Sequence, residues 1–319
     1  MNTDLVVAIV VSAIAYGTPL VLAGLGELLA ERSGVLNLGV KGMMLMGAVT
    51  AFFASQQLSG PGWAVLIVAL IVAACAGAAM ALIHAFLSIT VRVNQIVSGL
   101  ALTIFAGAIG LSSYVGQVWG IGGQHGLHQL HRLDILGLSD VPFVGPIVFH
   151  QDPLVYLSWA LVVAVAYYLY RTRTGLYLRA VGESPRSADA MGIDVTRYRY
   201  VHTLLGGALA GLGGAYFTLA IAPIWTDGLT AGAGWIAIAL VIFAFWRPDL
   251  LLIGAYLFGA LSSLGYTLQA YGVQMPSEFF SSLPYLMTIV VLAGASTTLA
   301  RRRIGTPAAL GVPYVREEG

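Results

Sequence analysis

Apolar residues in this chain run in long blocks separated by short polar punctuation. A helix needs about 20 mainly apolar residues to cross the hydrocarbon of a bilayer. About nine blocks approach that length, at 5–25, 35–55, 63–88, 93–115, 154–170, 200–222, 230–246, 249–268 and 282–299. Inside lipid no water pairs with backbone N–H and C=O groups, so blocks of this length must be helices. The period-two alternation of a membrane barrel does not occur in them. The pattern predicts an all-α, polytopic transmembrane bundle that makes one domain of 1–319.

Two punctuating segments are long enough to be structured. The first, 116–153, carries Trp119, several glycines, Pro142, Pro146 and Pro153, and predicts a loop with a short helix that lies on the membrane or re-enters it. The second, 171–199, is richer in information. Ser184 is placed to cap a helix whose first residue is Pro185, Asp189 falls in the following turns, and Gly192 is placed to stop it. The resulting helix, about 184–192, has little stability alone. Two readings fit it: a docking element for a soluble partner, or an amphipathic helix that rests on lipid headgroups with its arginines toward phosphate.

Composition agrees with the block pattern. Hydrophobic residues make up 58% and charged residues 9%, against about 25% charged in an ordinary soluble domain. Fifteen basic and fourteen acidic side chains are too few to clothe a soluble fold of 319 residues. Disorder is excluded on the same ground, and nucleic acid is not an expected partner. The opening Met-Asn-Thr-Asp lacks the basic start of a signal peptide, so the first block is expected to be retained as a span. Cys75 is the sole cysteine, which rules out an intramolecular disulfide or a cysteine-based metal site and leaves a small packing or lipid-facing residue.

The basic residues give a direction. If nine spans alternate, Arg32, Lys41, Arg92, Arg171, Arg173, Arg179, Arg186, Arg197, Arg199, Arg247, Arg301, Arg302, Arg303 and Arg316 fall on one side and Arg132 alone on the other. Basic loops stay in the cytoplasm, so the amino terminus is expected outside and the carboxyl terminus inside. The loop 116–153 is then extracytoplasmic and 171–199 cytoplasmic.

Glycines cluster inside the blocks. Gly207, Gly211 and Ala215 form a small-residue face suited to close helix packing, and glycines also mark helices interrupted beside a transported solute. The second block opens with Asn37, Gly39, Lys41 and Gly42 before its apolar part, and the seventh is short and follows Gly232 and Gly234. Paired short, glycine-interrupted segments are the pattern expected around a transporter's cargo site. Glu27 and Glu31, one turn apart on one face, are expected with Arg32 at the cytoplasmic boundary. Asn94 and Gln95 open the fourth block and either cap it or face a pathway. His84 and Gln269 are further polar residues near spans.

Catalytic patterns are missing. No Gly-x-x-x-x-Gly-Lys-[Ser/Thr] phosphate loop occurs, so energy from ATP must come from elsewhere, and neither His-Glu-x-x-His nor Gly-x-Ser-x-Gly is present. His125, His128 and His131 recur every third residue in the outer loop, but a zinc site wants a further ligand and its own supporting shell.

Three motifs carry a family resemblance: Glu31-Arg-Ser-Gly-Val-Leu-Asn-Leu-Gly-Val-Lys-Gly-Met-Met-Leu-Met-Gly47, Asn94-Gln-Ile-Val-Ser-Gly-Leu-Ala-Leu-Thr103 and Arg179-Ala-Val-Gly-Glu-Ser-Pro-Arg-Ser-Ala-Asp-Ala-Met-Gly-Ile193. In that order, and over about 15–300, the chain resembles the permease subunits of bacterial ABC importers for nucleosides, a branch of the ribose-type and branched-chain-amino-acid-type permeases. The resemblance implies a type II-like permease in the bacterial inner membrane that holds no cofactor of its own. Its implied partners are a second permease, by the family's habit a paralogue, cytoplasmic ABC ATPases that hold ATP and Mg, and an extracytoplasmic substrate-binding lipoprotein. It also places the coupling contact with the ATPase at Glu183, Ser184, Pro185, Arg186, Ala188, Asp189 and Gly192. Position 41 departs from the nucleoside branch, where an acidic residue is common; here it is Lys41. A nucleoside pathway wants aromatic side chains for the base and amides for hydrogen bonds, for which Phe105 and Trp235, with Asn37, Asn94, Gln95 and Lys41, are the candidates. Ribose-like sugars or another small polar solute are the near alternative. An ion-coupled secondary transporter is the more distant one, and it would need intramembrane acids.

Overall fold

Helix boundaries follow local chemistry. The computed structural model describes residues 3–107, 109–135, 137–272, 276–295 and 305–315. Its helices are α1 (Thr3–Arg32), α2 (Val40–Gln57), α3 (Gly62–Ala85), α4 (Gln95–Phe105), α5 (Leu111–Val118), α6 (Pro153–Arg171), α7 (Arg173–Glu183), α8 (Pro185–Ala190), α9 (Val195–Tyr216), α10 (Ala233–Phe243), α11 (Pro248–Ala270) and α12 (Ser277–Ala295). Side-chain caps set several starts: Asn94 accepts from the N–H groups of Ile96 and Val97, Asp152 from Leu154 and Val155, and Asp194 from Arg197. Asp152 also accepts from the Tyr216 hydroxyl at 2.5 Å, and burial pushes its carboxyl above the usual range.

Among the described residues the architecture is helical, apart from isolated bridges that pair Gly122 with Trp225 and His125 with Ile224. Five helices are long and apolar enough to cross a bilayer: α1, α3 with its wider-turn continuation to Thr90, α6, α9 with its continuation to Ile221, and α11. Each of the nine apolar blocks contains a helix, but two are shorter than the blocks implied. Block 93–115 breaks after Phe105, because a side chain at Gly107 or Gly110 would overlap the carbonyls of Thr103 or Phe105 and only glycine permits the reversal. Block 230–246 becomes helical only at Ala233, after Gly232 at φ +86°.

The core is a set of glycine-lined crossings. A methyl group on Gly77 of α3 would strike the Gly207 carbonyl of α9, one on Gly47 of α2 would strike that of Gly211, and one on Gly211 would strike that of Ala73. The face of Gly207 and Gly211 thus brings α2 and α3 onto α9 at backbone contact. Gly26 meets Gly206, and Gly213 meets the Pro19 carbonyl, so α1 and α9 run antiparallel. The pairings repeat in inverted order: α1 packs on α11 as α9 packs on α3. Helices α1–α4 and α9–α12 are therefore two halves of opposite direction, an inverted relation of the kind on which many transporters are built. Cys75 is exposed on the outer face of α3.

Candidate functional site

Between α1 and α2 the chain turns back into the bundle as irregular backbone, residues 33–39. Such backbone is tolerated at membrane depth only where protein satisfies its polar groups, and here side chains from three helices do so. Glu27 Oε1 accepts from the N–H of Asn37 at 3.0 Å, Gln95 Oε1 from that of Leu36 at 2.7 Å, and Asn37 Oδ1 from that of Gly39 at 3.0 Å. The Leu38 carbonyl accepts from Thr103 Oγ1 at 2.7 Å, and the Leu36 carbonyl lies 3.1 Å from His84 Nε2. Glu27, His84, Gln95 and Thr103, scattered through the apolar blocks, thus share one task, which is to satisfy the backbone of this link.

The link delivers the start of α2 to mid-height. Met44 lies on Gly214 and Pro19 on Gly213, which sets Lys41 level with the middle of α1, on the order of 15 Å from its Arg32 end at 1.5 Å per residue. There the start of α2 meets the start of α10: a side chain on Gly234 would strike the Lys41 backbone. The two helices then diverge, α10 descending to Trp246 beside Glu31 and α2 rising to Gln56, whose amide donates to the His125 carbonyl at 2.7 Å. The end of α4 closes on the same point, with Leu102, Thr103 and Ala106 against Gly42.

Of the sequence-derived pathway residues, Lys41 forms this junction, and Phe105 and Trp235 stand next in the chain to Ala106 and Gly234, which also form it. Lys41 is half-buried and makes no ion pair among the described residues; Phe105 and Trp235 are exposed. The others stand back from it. Asn37 and Gln95 are 0% and 1% exposed and are committed to the link. Asn94 caps α4 at its far end, about 16 Å from Phe105 along the helix.

At the Arg32 end the carboxylates are enclosed by protein: Glu27 and Glu31 are each 1% exposed. The link covers one side, and Trp246 and residues 305–315 cover the other. Glu31 Oε2 accepts from Trp246 Nε1 at 2.5 Å, and Arg32 donates to the carbonyls of Trp246 at 3.0 Å and Gly305 at 3.2 Å. Phe245 and Trp246 take φ of +51° and +55°, a costly left-handed backbone that the buried indole fixes. The next residue, exposed Arg247, pairs with Asp249 at 2.6 Å, which holds its guanidinium above the usual range.

Residues 305–315 form a strap across this end. Ala309 N–H donates to the Gly182 carbonyl at 2.9 Å, Gly311 N–H to that of Gly34 at 3.2 Å, Ala308 N–H to Glu183 at 3.3 Å, and Arg199 to the Val312 carbonyl at 3.1 Å. Tyr314 packs on a small cluster of Val181, Ala188 and Val195. The strap therefore touches the link, α7, the base of α8 and α9 together. Nothing in the sequence pattern singled it out. Arg301, Arg302, Arg303 and Arg316 lie outside the described residues.

Within 171–199, Ser184 caps α8 by accepting from Ser187 N–H at 3.4 Å, and Gly192 at φ +79° turns the chain toward α9. Ala188 is buried against Val181 and Val195, while Arg186 and Ser187 face outward and Pro185 and Asp189 are half-buried. Glu183 and Gly192 are exposed on either side of the helix. No three His, Cys, Asp or Glu side chains gather to hold a metal ion among the described residues. The arrangement offers binding surface.

Residues 9–292 match the model of a protein family described as "Branched-chain amino acid transport system / permease component". The chain is 40% identical to TsgC13 of Haloferax volcanii, a permease protein named for a glucose ABC transporter, over 96% of this chain and 97% of that one. It is 34% identical to the nucleoside ABC transporter permease protein NupC of Lactococcus lactis subsp. cremoris, over 97% of each chain. Against the guanosine ABC transporter permease protein NupQ of Bacillus subtilis the identity is 35%, over 97% of this chain and 96% of the relative.

Proposed function

The chain belongs to the permease-component family of branched-chain amino acid transport systems, and from that membership we propose that it forms half of the pathway of an ATP-driven importer whose cargo is a nucleoside. The observation that carries this reading is the mid-height junction of α2, α4 and α10, where two helices begin back to back inside the bundle. Helices that begin back to back within a bundle are where transporters hold a solute, and small rotations of either helix would open the site to one side or the other.

Nine spans fit the layout, counting the short α10 and the broken block that begins at α4. The N-outside, C-inside orientation is supported by the basic residues that share the Arg32 end, while Arg132 lies in the loop toward which α2 rises. On this reading the membrane is the bacterial cytoplasmic membrane. α8 is the coupling helix, docking through Glu183 to Gly192 on a cytoplasmic ATPase that carries ATP and Mg. Closure of the ATPases moves α8, and the strap and α7 pass the movement to the link and so to Lys41. A paralogous second permease supplies the other wall, and a substrate-binding lipoprotein loads the cargo from outside.

Two of the relatives named above support the cargo, being named for nucleosides and guanosine. A sugar is the second reading, supported by the identity to TsgC13. Phe105 and Trp235 would stack on a base or on a sugar ring. Uptake of labelled guanosine and labelled glucose, in cells with and without this chain, decides between them. Loss of guanosine uptake alone is the expected result; loss of glucose uptake alone transfers the assignment to sugars, and ion-driven uptake by the purified chain alone in liposomes refutes the ATP-driven reading.

A further inference from the structure

A cavity of about 1290 Å³ opens between α6 and α9 beneath α7 and α8, away from the α2–α10 junction. Its walls are graded. The deep end is formed by Leu161, Val165, Leu205 and Leu209, and the mouth by Thr174, Tyr177, Arg197 and Tyr198. From Leu209 to Arg197 the α9 wall rises about 18 Å, close to the roughly 15 Å of hydrocarbon in one leaflet. Tyrosines stand where headgroups begin, as interfacial aromatics do.

The lining of the mouth holds Arg197 and Asp194, and the exposed Arg171 and Arg173 just outside it leave the rim with a surplus of basic charge. Arg197 is exposed and makes no ion pair among the described residues, and Arg171 and Arg173, both exposed, precede Thr174 in the chain. The one acid in the lining, Asp194, spends an oxygen on the N–H of Arg197 to cap α9. Tyr198 and His202 stack face to face with centroids 5.7 Å apart, and His202 Nε2 lies 2.8 Å from the Tyr168 hydroxyl. These contacts fix the aromatic wall, so the groove keeps its shape without an occupant.

We propose that this groove is a binding site for one anionic phospholipid, with an acyl chain along Leu205 and Leu209 and the phosphate held by Arg197 with Arg173. An apolar trough one leaflet deep beneath a basic mouth matches that molecule end to end. A zwitterionic lipid fits the trough but leaves the arginines unbalanced. The joint Met191-Gly192-Ile193 that ends α8 lines the same cavity, so a lipid seated there buttresses the helix assigned above to ATPase docking. That last consequence rests on the proposed role of α8; the site itself does not.

The test uses the assembled transporter in nanodiscs of equimolar phosphatidylglycerol and phosphatidylcholine, with retained lipids counted by native mass spectrometry after transfer to detergent. Both lipids occupy both leaflets, so the result is independent of the orientation and of the cargo. The expected result is one phosphatidylglycerol retained per copy of this chain, favoured over phosphatidylcholine by about tenfold or more. Arg197→Gln removes one charge near the surface and is expected to cut that preference about fivefold. Ala208→Trp fills the trough and is expected to abolish retention of either lipid. Equal retention of the two lipids, no retained lipid, or a preference unchanged in Arg197→Gln overturns the proposal, and so does a second permease crosslinked into the trough.

Discussion

At the scale of single residues, the absence of a side chain matters as much as its presence. Gly211 is wedged between α2 and α3, and Gly211→Val would drive a branched side chain into the Ala73 carbonyl. A cost of about 1–3 kcal/mol or more is expected, read as a lower melting temperature of the monodisperse protein in detergent; Cys75→Val, on the exposed face of the neighbouring helix, is expected to leave it unchanged. Trp246 is the reverse case. Trp246→Phe keeps an aromatic side chain but loses the smaller ring of the indole and its donor to Glu31 Oε2, leaving a buried oxygen without that partner. About 1–3 kcal/mol is the expected loss, by the same melting measurement, against no change for Trp63→Phe on the outside. The close approach at Gly211 was legible in the sequence as a small-residue face. The indole–carboxylate bond was not, because its two ends stand 215 positions apart in the chain and no local periodicity connects them.

At the scale of elements, local chemistry was readable wherever cap and stop lie within a few residues. The residues Ser184, Pro185 and Gly192 spell out a short helix by themselves. The late start of the seventh block was legible in Gly232 and Gly234, but the break in the fourth was harder, since a run of apolar residues looks the same whether one helix crosses or two shorter ones meet. Asn37 and Gln95 show the same ambiguity at a finer grain: an amide in an apolar block reads as a cargo contact, whereas these two hold the backbone of 33–39. α8 is six residues long, too short to persist without its cap and its packing on Val181 and Val195. Ser184→Ala should cost about 0.5–2 kcal/mol. In the assembled transporter we expect cargo-stimulated ATP hydrolysis to fall roughly fivefold while the basal rate persists; an unaltered stimulated rate would count against α8 as the coupling element. Cutting the chain after residue 304 removes the strap's hydrogen bonds to Arg32, Gly34, Gly182, Glu183 and Arg199. The expected outcome is hydrolysis with reduced transport per ATP, measured in proteoliposomes.

At the scale of the whole molecule, the block pattern and charge asymmetry carried the class of protein, and the inverted pairing of α1–α4 with α9–α12 became visible only in three dimensions. Opposed halves keep helix packing while losing residue-by-residue likeness, so a direct repeat is not there to be found in the sequence. Topology is open to a simple check. In a Cys75→Ala background, Arg186→Cys should react with an impermeant maleimide only after the cells are opened, and Gln124→Cys in intact spheroplasts; the opposite pattern reverses the orientation. The strap has a further implication for how the chain is made. Gly34, Gly182 and Arg199 precede their partners at 309–312 in the chain and are therefore made before them. Until those residues follow, the Gly34 and Gly182 carbonyls and the Arg199 guanidinium lack the partners that tie the strap to the Arg32 end. The lower end of the bundle is thus closed by contacts between residues far apart in the chain, and its closure follows the insertion of the helices it joins.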